Sequence, residues 1–140
     1  MSTNPFTEES YEQALIALFT ERLGYDYECG YDVERDYRQP CYVADLEAAL
    51  RRLNPAAPDA VLCEARRKVT SIHEGTLVQR NEKLTDYLQD GVEVTYAEGG
   101  RNRTELVKLV DFTNAARNQF KVVNQWSVEE YGGSRRRSGI

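Results

Sequence analysis

The stretch Phe120-Lys-Val-Val-Asn-Gln-Trp-Ser-Val128 is the part of the sequence that decides the fold. Its valines and aromatic residues favour a β-strand, and such a strand needs neighbouring strands to pair with. It leads through Gly132-Gly133 into Arg135-Arg136-Arg137-Ser138-Gly139-Ile140, where the sequence stops. We therefore expect the first part of a larger catalytic domain, cut just before its chemistry.

Upstream of this strand, the spacing of apolar residues predicts one helix, a helical insert and then strands. The helical period predicts helices over 8–23, 44–53, 58–73 and 77–89. After Gly91 the period changes to alternation, which predicts a strand from Val92, a turn at Glu98-Gly-Gly-Arg101 and a returning strand over 106–112. The expected fold class is α+β, with the sheet antiparallel from about residue 92 to residue 128.

The first helix has clear boundary signals. Thr7 is a suitable N-cap, and Gly24 is a suitable residue to end the helix. Apolar residues form two neighbouring stripes, which predicts that most of the helix is buried. Glu12 places a carboxylate at the end of one of these stripes.

Composition excludes several classes of protein. The 140 residues are 41% hydrophobic and 29% charged, as in a single globular domain, which we expect over 1–140 with a basic, flexible tail over 132–140. The net charge of −5 argues against a dedicated DNA-coating protein. Three scattered cysteines favour a reducing, cytoplasmic compartment over a disulfide framework or zinc site. The sequence predicts no cofactor and no membrane segment.

The segment from Tyr25 to Tyr42 is rich in tyrosines and carboxylates and poor in aliphatic residues. We expect an extended surface segment or a short edge strand. Tyrosine gives a large contact area at low entropic cost, so the segment is a candidate partner-binding surface. The alternative is a tyrosine-lined edge that packs on its own domain. The candidate partner-binding residues are Tyr25, Tyr27, Tyr31, Asp32, Glu34, Asp36 and Tyr37.

Five stretches resemble, in the same order, the N-terminal nuclease domain of the restriction (motor) subunits of type I restriction–modification enzymes. They are Glu9-Ser-Tyr-Glu-Gln-Ala-Leu-Ile-Ala-Leu-Phe-Thr-Glu-Arg-Leu-Gly-Tyr25, Gly75-Thr-Leu-Val-Gln-Arg-Asn-Glu-Lys-Leu84, Tyr87-Leu-Gln-Asp-Gly-Val-Glu-Val-Thr-Tyr96, Leu109-Val-Asp-Phe112 and Phe120-Lys-Val-Val-Asn-Gln125. The resemblance covers nearly the whole chain. It implies the front half of a PD-(D/E)xK nuclease fold.

The chain departs from that family at its end. The resemblance implies a basic turn followed by a Pro-Asp pair and then a Glu-x-Lys strand, whose carboxylates hold Mg²⁺ for phosphodiester cleavage. Arg136-Arg137 match the basic turn, but Ser138-Gly139 stand where Pro-Asp should be. The Glu-x-Lys strand is absent from the sequence. We expect no catalytic residue, no bound metal and no DNA cleavage.

The remaining candidate residues each have two interpretations. Glu12 matches the first-helix glutamate that completes the metal shell in such nucleases, or it is a partly exposed helix residue. Arg135, Arg136 and Arg137 are candidates for weak or indirect DNA-backbone contact, or they form a solvated tail. His73 is most simply a helix C-terminal histidine that interacts with the helix dipole. Gln79, Arg80 and Asn81 could contact DNA or a partner, or serve in capping and surface solvation.

The sequence leaves two functions open. The first is a catalytically inactive N-terminal portion of a type I restriction subunit. The second is a stand-alone decoy that inhibits a nucleic-acid defence complex by protein binding, as anti-restriction or anti-CRISPR proteins do. In either case the apolar edge over 120–128 could pair with a second copy of the chain, which would give a homodimer.

Overall fold

A computed structural model of the protein describes residues 6–129 and, for the backbone alone, residues 135–138. The described chain contains four α-helices and six short strands, a mixed helix and strand content that is consistent with the expected α+β class. It divides into two compact units, which we call the terminal unit (Met1–Pro40 with Gln119–Ile140) and the insert unit (Cys41–Asn118). That the whole of 1–140 is one domain stays a prediction.

Helix α1 of the terminal unit spans Glu8–Ala17 and continues as a π-helical turn over Leu18–Arg22. Thr7 is its N-cap: the Thr7 hydroxyl accepts from the backbone N–H of Ser10, and the Ser10 hydroxyl accepts from that of Thr7. After the π turn, Gly24 adopts a φ of 70°, a conformation that glycine takes without strain. The predicted N-cap at Thr7 and the predicted helix end at Gly24 are both confirmed.

The predicted burial of α1 is wrong. Ile16 is the one buried residue of α1, whereas the large apolar residues at four other positions of the predicted stripes are exposed: Tyr11, Leu15, Leu18 and Leu23. The strands of the terminal unit are four residues each, so they offer little apolar surface to cover two stripes. The sequence pattern therefore overstates how much of this helix is covered.

The strands of the terminal unit correct the predicted antiparallel sheet over 92–128. Strand β1 (Asp26–Cys29) pairs in parallel with β4 (Lys121–Asn124), from Asp26 opposite Lys121 to Cys29 opposite Asn124. Strand β5 (Trp126–Glu129) pairs antiparallel with β6 (Arg135–Ser138). The stretch predicted as one strand is thus two strands. Gln125 separates them because its φ of 54° breaks the extended backbone.

Strand β6 bears on two other predictions. Part of the tail over 132–140 lies outside the described residues, and its backbone over 135–138 forms β6, so the flexible tail stays a prediction. The last strand is not unpaired, since β4 and β5 each have a partner within the chain. Each of these strands lies in a two-stranded sheet and is paired on one side, so a homodimer through this part of the chain stays a prediction.

The insert unit has three helices, α2 (Val43–Leu53), α3 (Asp59–Thr70) and α4 (Leu77–Asp90). Its apolar core combines α2 and α3 with the hairpin that follows, through Leu50, Val61, Leu62, Ala65, Val69, Val92, Val94 and Val107. Helix α4 begins with a capping box between Thr76 and Gln79 and ends at Gly91, whose φ is 88°. These helices lie within three residues of their predicted bounds.

Two details of the insert helices differ from prediction. Helix α3 ends at Thr70 instead of residue 73, because Ser71 leaves the helical region after two β-branched residues. On α4, Leu77 and Leu88 are exposed, and the partly buried residues are Leu84 and Tyr87. The predicted apolar face of α4 is therefore wrong in two of its three leucines.

Strands β2 (Val92–Glu98) and β3 (Arg101–Val107) form an antiparallel hairpin. Gly99 and Gly100 make its two-residue turn, with φ values of 60° and 77°. Such a turn pairs the residues on either side of it directly, so the return strand begins at Arg101 and not near residue 106 as predicted. Residues 108–114 are consequently a loop.

Asp111 organises this loop from a buried position. Its carboxylate accepts from the backbone N–H groups of Asn114 (2.9 Å) and Thr113 (3.0 Å), and Arg117 lies 3.4 Å away. The side-chain amide of Asn118 bonds both the N–H and the C=O of Asp111, each at 2.8 Å. The backbone hydrogen bond from Asn114 is the largest cause that lowers the pKa of Asp111.

In the described part of the chain, no helix is long and apolar enough to cross a membrane. Cys29, Cys41 and Cys63 form no disulfide with one another.

The lowered pKa of Asp111 gives a prediction for stability against pH. Asp111 stabilises the folded state fully above its unfolded pKa of about 3.9, and this contribution is lost as the pH falls through the lower folded value. Asp111→Asn should therefore destabilise the protein at neutral pH, and the difference from wild type should shrink towards pH 3. Urea unfolding at several pH values measures it, with Asp86→Asn on the exposed face of α4 as the matched control. A difference from wild type that stays constant with pH would contradict this role.

Candidate functional site

A polar cluster at the junction of β4 and β5 contains Glu12, the carboxylate that sequence resemblance singled out. Glu12 lies half-buried on α1, and its Oε1 accepts a 2.7 Å hydrogen bond from the side-chain amide of Gln125. The amide oxygen of Gln125 accepts from the hydroxyl of Tyr31 at 3.3 Å. One orientation of the Gln125 amide satisfies both contacts, so it links Tyr31 to Glu12.

The backbone at Gln125 is held in an unusual conformation. Its φ of 54° lies in the left-handed region, which costs a residue with a side chain about 1–2 kcal/mol. Gly30 lies close to the backbone of this residue: a Cβ at position 30 would come within 2.5 Å of the Gln125 carbonyl oxygen. Gly30 also donates its N–H to the Asn124 carbonyl at 2.8 Å. The junction thus requires glycine on the neighbouring chain segment.

Tyr27 and Asn124 form the other side of the cluster. The Tyr27 hydroxyl donates to the side-chain oxygen of the buried Asn124 at 3.0 Å. Partial loss of water raises the pKa of the Tyr27 phenol, the ionisable groups of Cys29, Glu12 and Asp32 raise it further, and the bond to Asn124 lowers it. The phenol is therefore protonated at neutral pH and acts as a hydrogen-bond donor.

The cluster does not fit the metal that the resemblance implies. Among the described residues there is no group of three or more Asp, Glu, His or Cys side chains that could hold a metal ion. Mg²⁺ needs near-octahedral coordination by several oxygens, and Glu12 supplies a single carboxylate. What the arrangement can do is fix the position of that carboxylate through Gln125.

The structure divides the tyrosine- and acid-rich segment into internal and exposed parts. Tyr25 packs between Phe19 and Phe120, with ring centroids 5.2 Å and 5.1 Å away. Tyr37 lies against the Arg35 guanidinium at 4.8 Å. These two rings contact their own unit, which is the alternative that the sequence left open.

The exposed part of that segment lies around Tyr27 and Tyr31. These side chains are 44% and 52% exposed. Three predicted partner-binding carboxylates, Asp32, Glu34 and Asp36, are also exposed, and Asp36 accepts from the backbone N–H of Arg38 at 3.0 Å. The predicted partner-binding role of these five residues stays a prediction.

The other candidates are not members of the Glu12 cluster. Arg135, Arg136 and Arg137 contribute backbone to β6, and their side chains lie outside what the structure describes. His73 is exposed and follows the end of α3 by three residues, so it is not the predicted helix C-terminal histidine. Gln79 caps α4, and Arg80 donates to the Gly75 carbonyl at 3.1 Å, as the capping interpretation predicted.

Sequence reasoning missed Gln125 as a functional residue. In the sequence, Asn124 and Gln125 are recognisable only as the end of a stretch that resembles the restriction-subunit domain. Nothing in local spacing connects Gln125 to Glu12, since 113 positions separate them. The available signal was a polar Asn-Gln pair inside an otherwise β-forming run, a place where a strand commonly breaks.

The Glu12–Gln125 contact predicts energetic coupling between two distant positions. A double-mutant cycle of Glu12→Ala and Gln125→Ala should give a coupling free energy of about 0.5–1.5 kcal/mol, the usual net value of a hydrogen bond. Urea unfolding measures it. Glu9→Ala combined with Gln125→Ala is the matched control, because Glu9 is an exposed glutamate of the same helix. Equal coupling in both cycles would rule out a specific contact.

Comparison with known proteins identifies the family. The family described as "Type I restriction enzyme R protein N terminus" matches residues 5–138. The "Type I restriction enzyme HindI endonuclease subunit" of Haemophilus influenzae is 32% identical over 137 residues, which is 92% of this chain and 13% of that protein. The "Putative type I restriction enzyme MjaIXP endonuclease subunit" of Methanocaldococcus jannaschii is 30% identical over 117 residues, 79% of this chain and 11% of that protein.

The chain therefore spans 13% and 11% of the length of these two curated relatives. No solved structure matches it significantly. The matched family covers almost every position, including α1, the hairpin and the junction at Gln125. The chain belongs to the type I restriction enzyme R subunit family and corresponds to its N-terminal region.

Proposed function

We propose that this chain forms the front half of a restriction-subunit nuclease domain and does not cut DNA by itself. The observation that carries the proposal is the position of Glu12, which Gln125 holds at the end of β4, with no group of three or more metal-ligating side chains among the described residues. The chain thus has the first-helix carboxylate of the resembling nucleases without its companions.

The missing groups are those that carry the chemistry. Hydrolysis of a phosphodiester needs an activated water and stabilisation of the charge that develops on the phosphate. Ser138 and Gly139 stand where the resemblance places Pro-Asp, and glycine offers no ligand. Glu12 and the surrounding phenols can accept and donate hydrogen bonds, but they cannot supply the missing positive charge. The chain alone therefore holds the Glu12 carboxylate in position but does not carry out the cleavage.

This proposal predicts that purified protein leaves plasmid DNA intact. Supercoiled plasmid incubated with the protein and either Mg²⁺ or Mn²⁺ should show no nicked or linear product on an agarose gel. Glu12→Ala and the exposed control Glu9→Ala should behave in the same way. Cleavage that persists through purification and disappears in Glu12→Ala, while Glu9→Ala retains it, would overturn the proposal.

A second candidate function is the decoy that inhibits a nucleic-acid defence complex by binding protein. The half-exposed rings of Tyr27 and Tyr31 beside exposed carboxylates favour it, and a net charge of −5 suits a basic, DNA-binding partner. A cytoplasmic location suits both candidates, since three scattered cysteines favour a reducing compartment. Genome context separates them: an adjacent motor reading frame supports the fragment, and a phage neighbourhood supports the decoy.

The decoy predicts a specific loss of binding. Tyr27→Ala with Tyr31→Ala should weaken affinity for a restriction or CRISPR effector complex at least about tenfold, or roughly 1.4 kcal/mol. Binding of wild type should also weaken with added salt. Tyr37→Ala is the control, because that ring lies against Arg35. Calorimetric titration against purified complexes measures it. Undiminished binding by the double variant, or no binding by wild type, would contradict the decoy.

A further inference from the structure

A second polar feature lies in the insert unit, in residues that the proposed function does not use. A cleft of about 270 Å³ opens between the end of α3, the segment after it and one face of α4. Three cationic side chains line it: Arg67 and Lys68 from the last turn of α3, and Lys83 from α4. One carboxylate, Glu74, lines it as well. Cations therefore outnumber carboxylates on its walls.

The three cations are not equivalent. Arg67 forms two hydrogen bonds to Glu64, at 2.9 Å and 2.6 Å, which partly neutralise its charge. Lys68 donates at 2.8 Å to the backbone carbonyl of Glu93, a neutral acceptor. Lys83 lies 5.7 Å from the ring centroid of Tyr87. Neither lysine belongs to an ion pair found among residues 6–129, so both charges remain available to an anion.

Three further hydrogen-bonding side chains complete the walls. Ser71, His73 and Tyr87 line the same cleft as the two lysines. A phosphate group accepts several hydrogen bonds and prefers positively charged donors at short range. The volume is below the roughly 300 Å³ at which sites for drug-sized ligands begin. The cleft thus has the room and the positively charged donors to hold a phosphate group.

We propose that the α3–α4 cleft binds a backbone phosphate of duplex DNA through Lys68 and Lys83. The choice of DNA, over a free phosphate, rests on the proposed function as part of a restriction subunit, whereas the cleft rests on its own geometry. The net charge of −5 opposes general adhesion to DNA, so binding has to come from local positive charge. The contact positions the DNA and reads no bases.

The proposal predicts a local and salt-sensitive loss of DNA binding. Fluorescence anisotropy with a labelled 25-base-pair duplex (a length of about two turns or more) measures affinity at several salt concentrations. Lys68→Gln with Lys83→Gln should weaken binding at low salt at least about tenfold and reduce the slope of log K against log salt by about 0.9, the value for one lost phosphate contact. Lys83→Gln alone, which removes no backbone contact, should also weaken binding at low salt, by a smaller factor than the double variant.

Two controls make the test specific. Lys108→Gln removes an equal charge from an exposed lysine that does not line the cleft, and should leave the slope unchanged. Glu74→Gln removes the opposing carboxylate and should tighten binding a few-fold, a gain that misfolding cannot produce. Glu8→Gln on α1 is its matched control. Competition with millimolar inorganic phosphate should displace little of the duplex.

Any of the following outcomes would overturn the proposal. Wild type that does not bind duplex at low salt, lysine variants that bind as wild type, or equal loss in Lys108→Gln would each remove the site. Efficient displacement by inorganic phosphate would make a free anion the ligand in place of DNA. None of these results bears on plasmid cleavage, so the cleft can fail while the proposed function stands.

Discussion

The left-handed turn at Gln125 is the constraint on which the terminal unit depends. With a φ of 54° it ends β4 and redirects the chain into β5, so the first strand can pair in parallel with β1 and the second antiparallel with β6. The same residue holds Glu12 through its side chain. A backbone strain of about 1–2 kcal/mol persists only where surrounding contacts over-determine the conformation. Here the contacts are Glu12, Tyr31 and the close approach of Gly30.

The two units are stabilised by different physical means. The insert unit has a continuous apolar core in which Leu50, Val61 and Val92 are almost completely buried, so removal of apolar area from water is its main source of stability. The terminal unit buries few apolar residues but also buries Asn124 and Ser127. Side-chain hydrogen bonds connect its strands to the neighbouring segments, such as the bond from the indole of Trp126 to the Pro40 carbonyl at 2.9 Å. A unit of this kind is sensitive to loss of a single partner, because the other group is then left buried and unsatisfied.

Local signals explain what the sequence could predict. Thr7 with Gly24, Thr76 with Gly91, and the Gly99-Gly100 turn each act within a few residues, and the helices and the hairpin follow from them. Strand pairing is different. Asp26 pairs opposite Lys121, and no periodicity in either strand encodes a partner so far away in sequence. The same limit applies to the site: Glu12 was identifiable by resemblance, but Gln125 acquires its role only when β4 lies beside β1.

Burial was the other property that local pattern could not decide. Apolar stripes on α1 predict a covered helix, yet Tyr11 and Leu18 remain 59% and 48% exposed, because the short strands of the terminal unit provide little surface to cover them. Tyr25 shows the reverse: it lies in a stretch that looked like surface, but its ring stacks on Phe120. A tyrosine fits both settings, since its ring is apolar and its hydroxyl is not. Composition therefore could not tell which tyrosines are internal and which, like Tyr27 and Tyr31, are exposed. The pairing of β1 with β4 decides this.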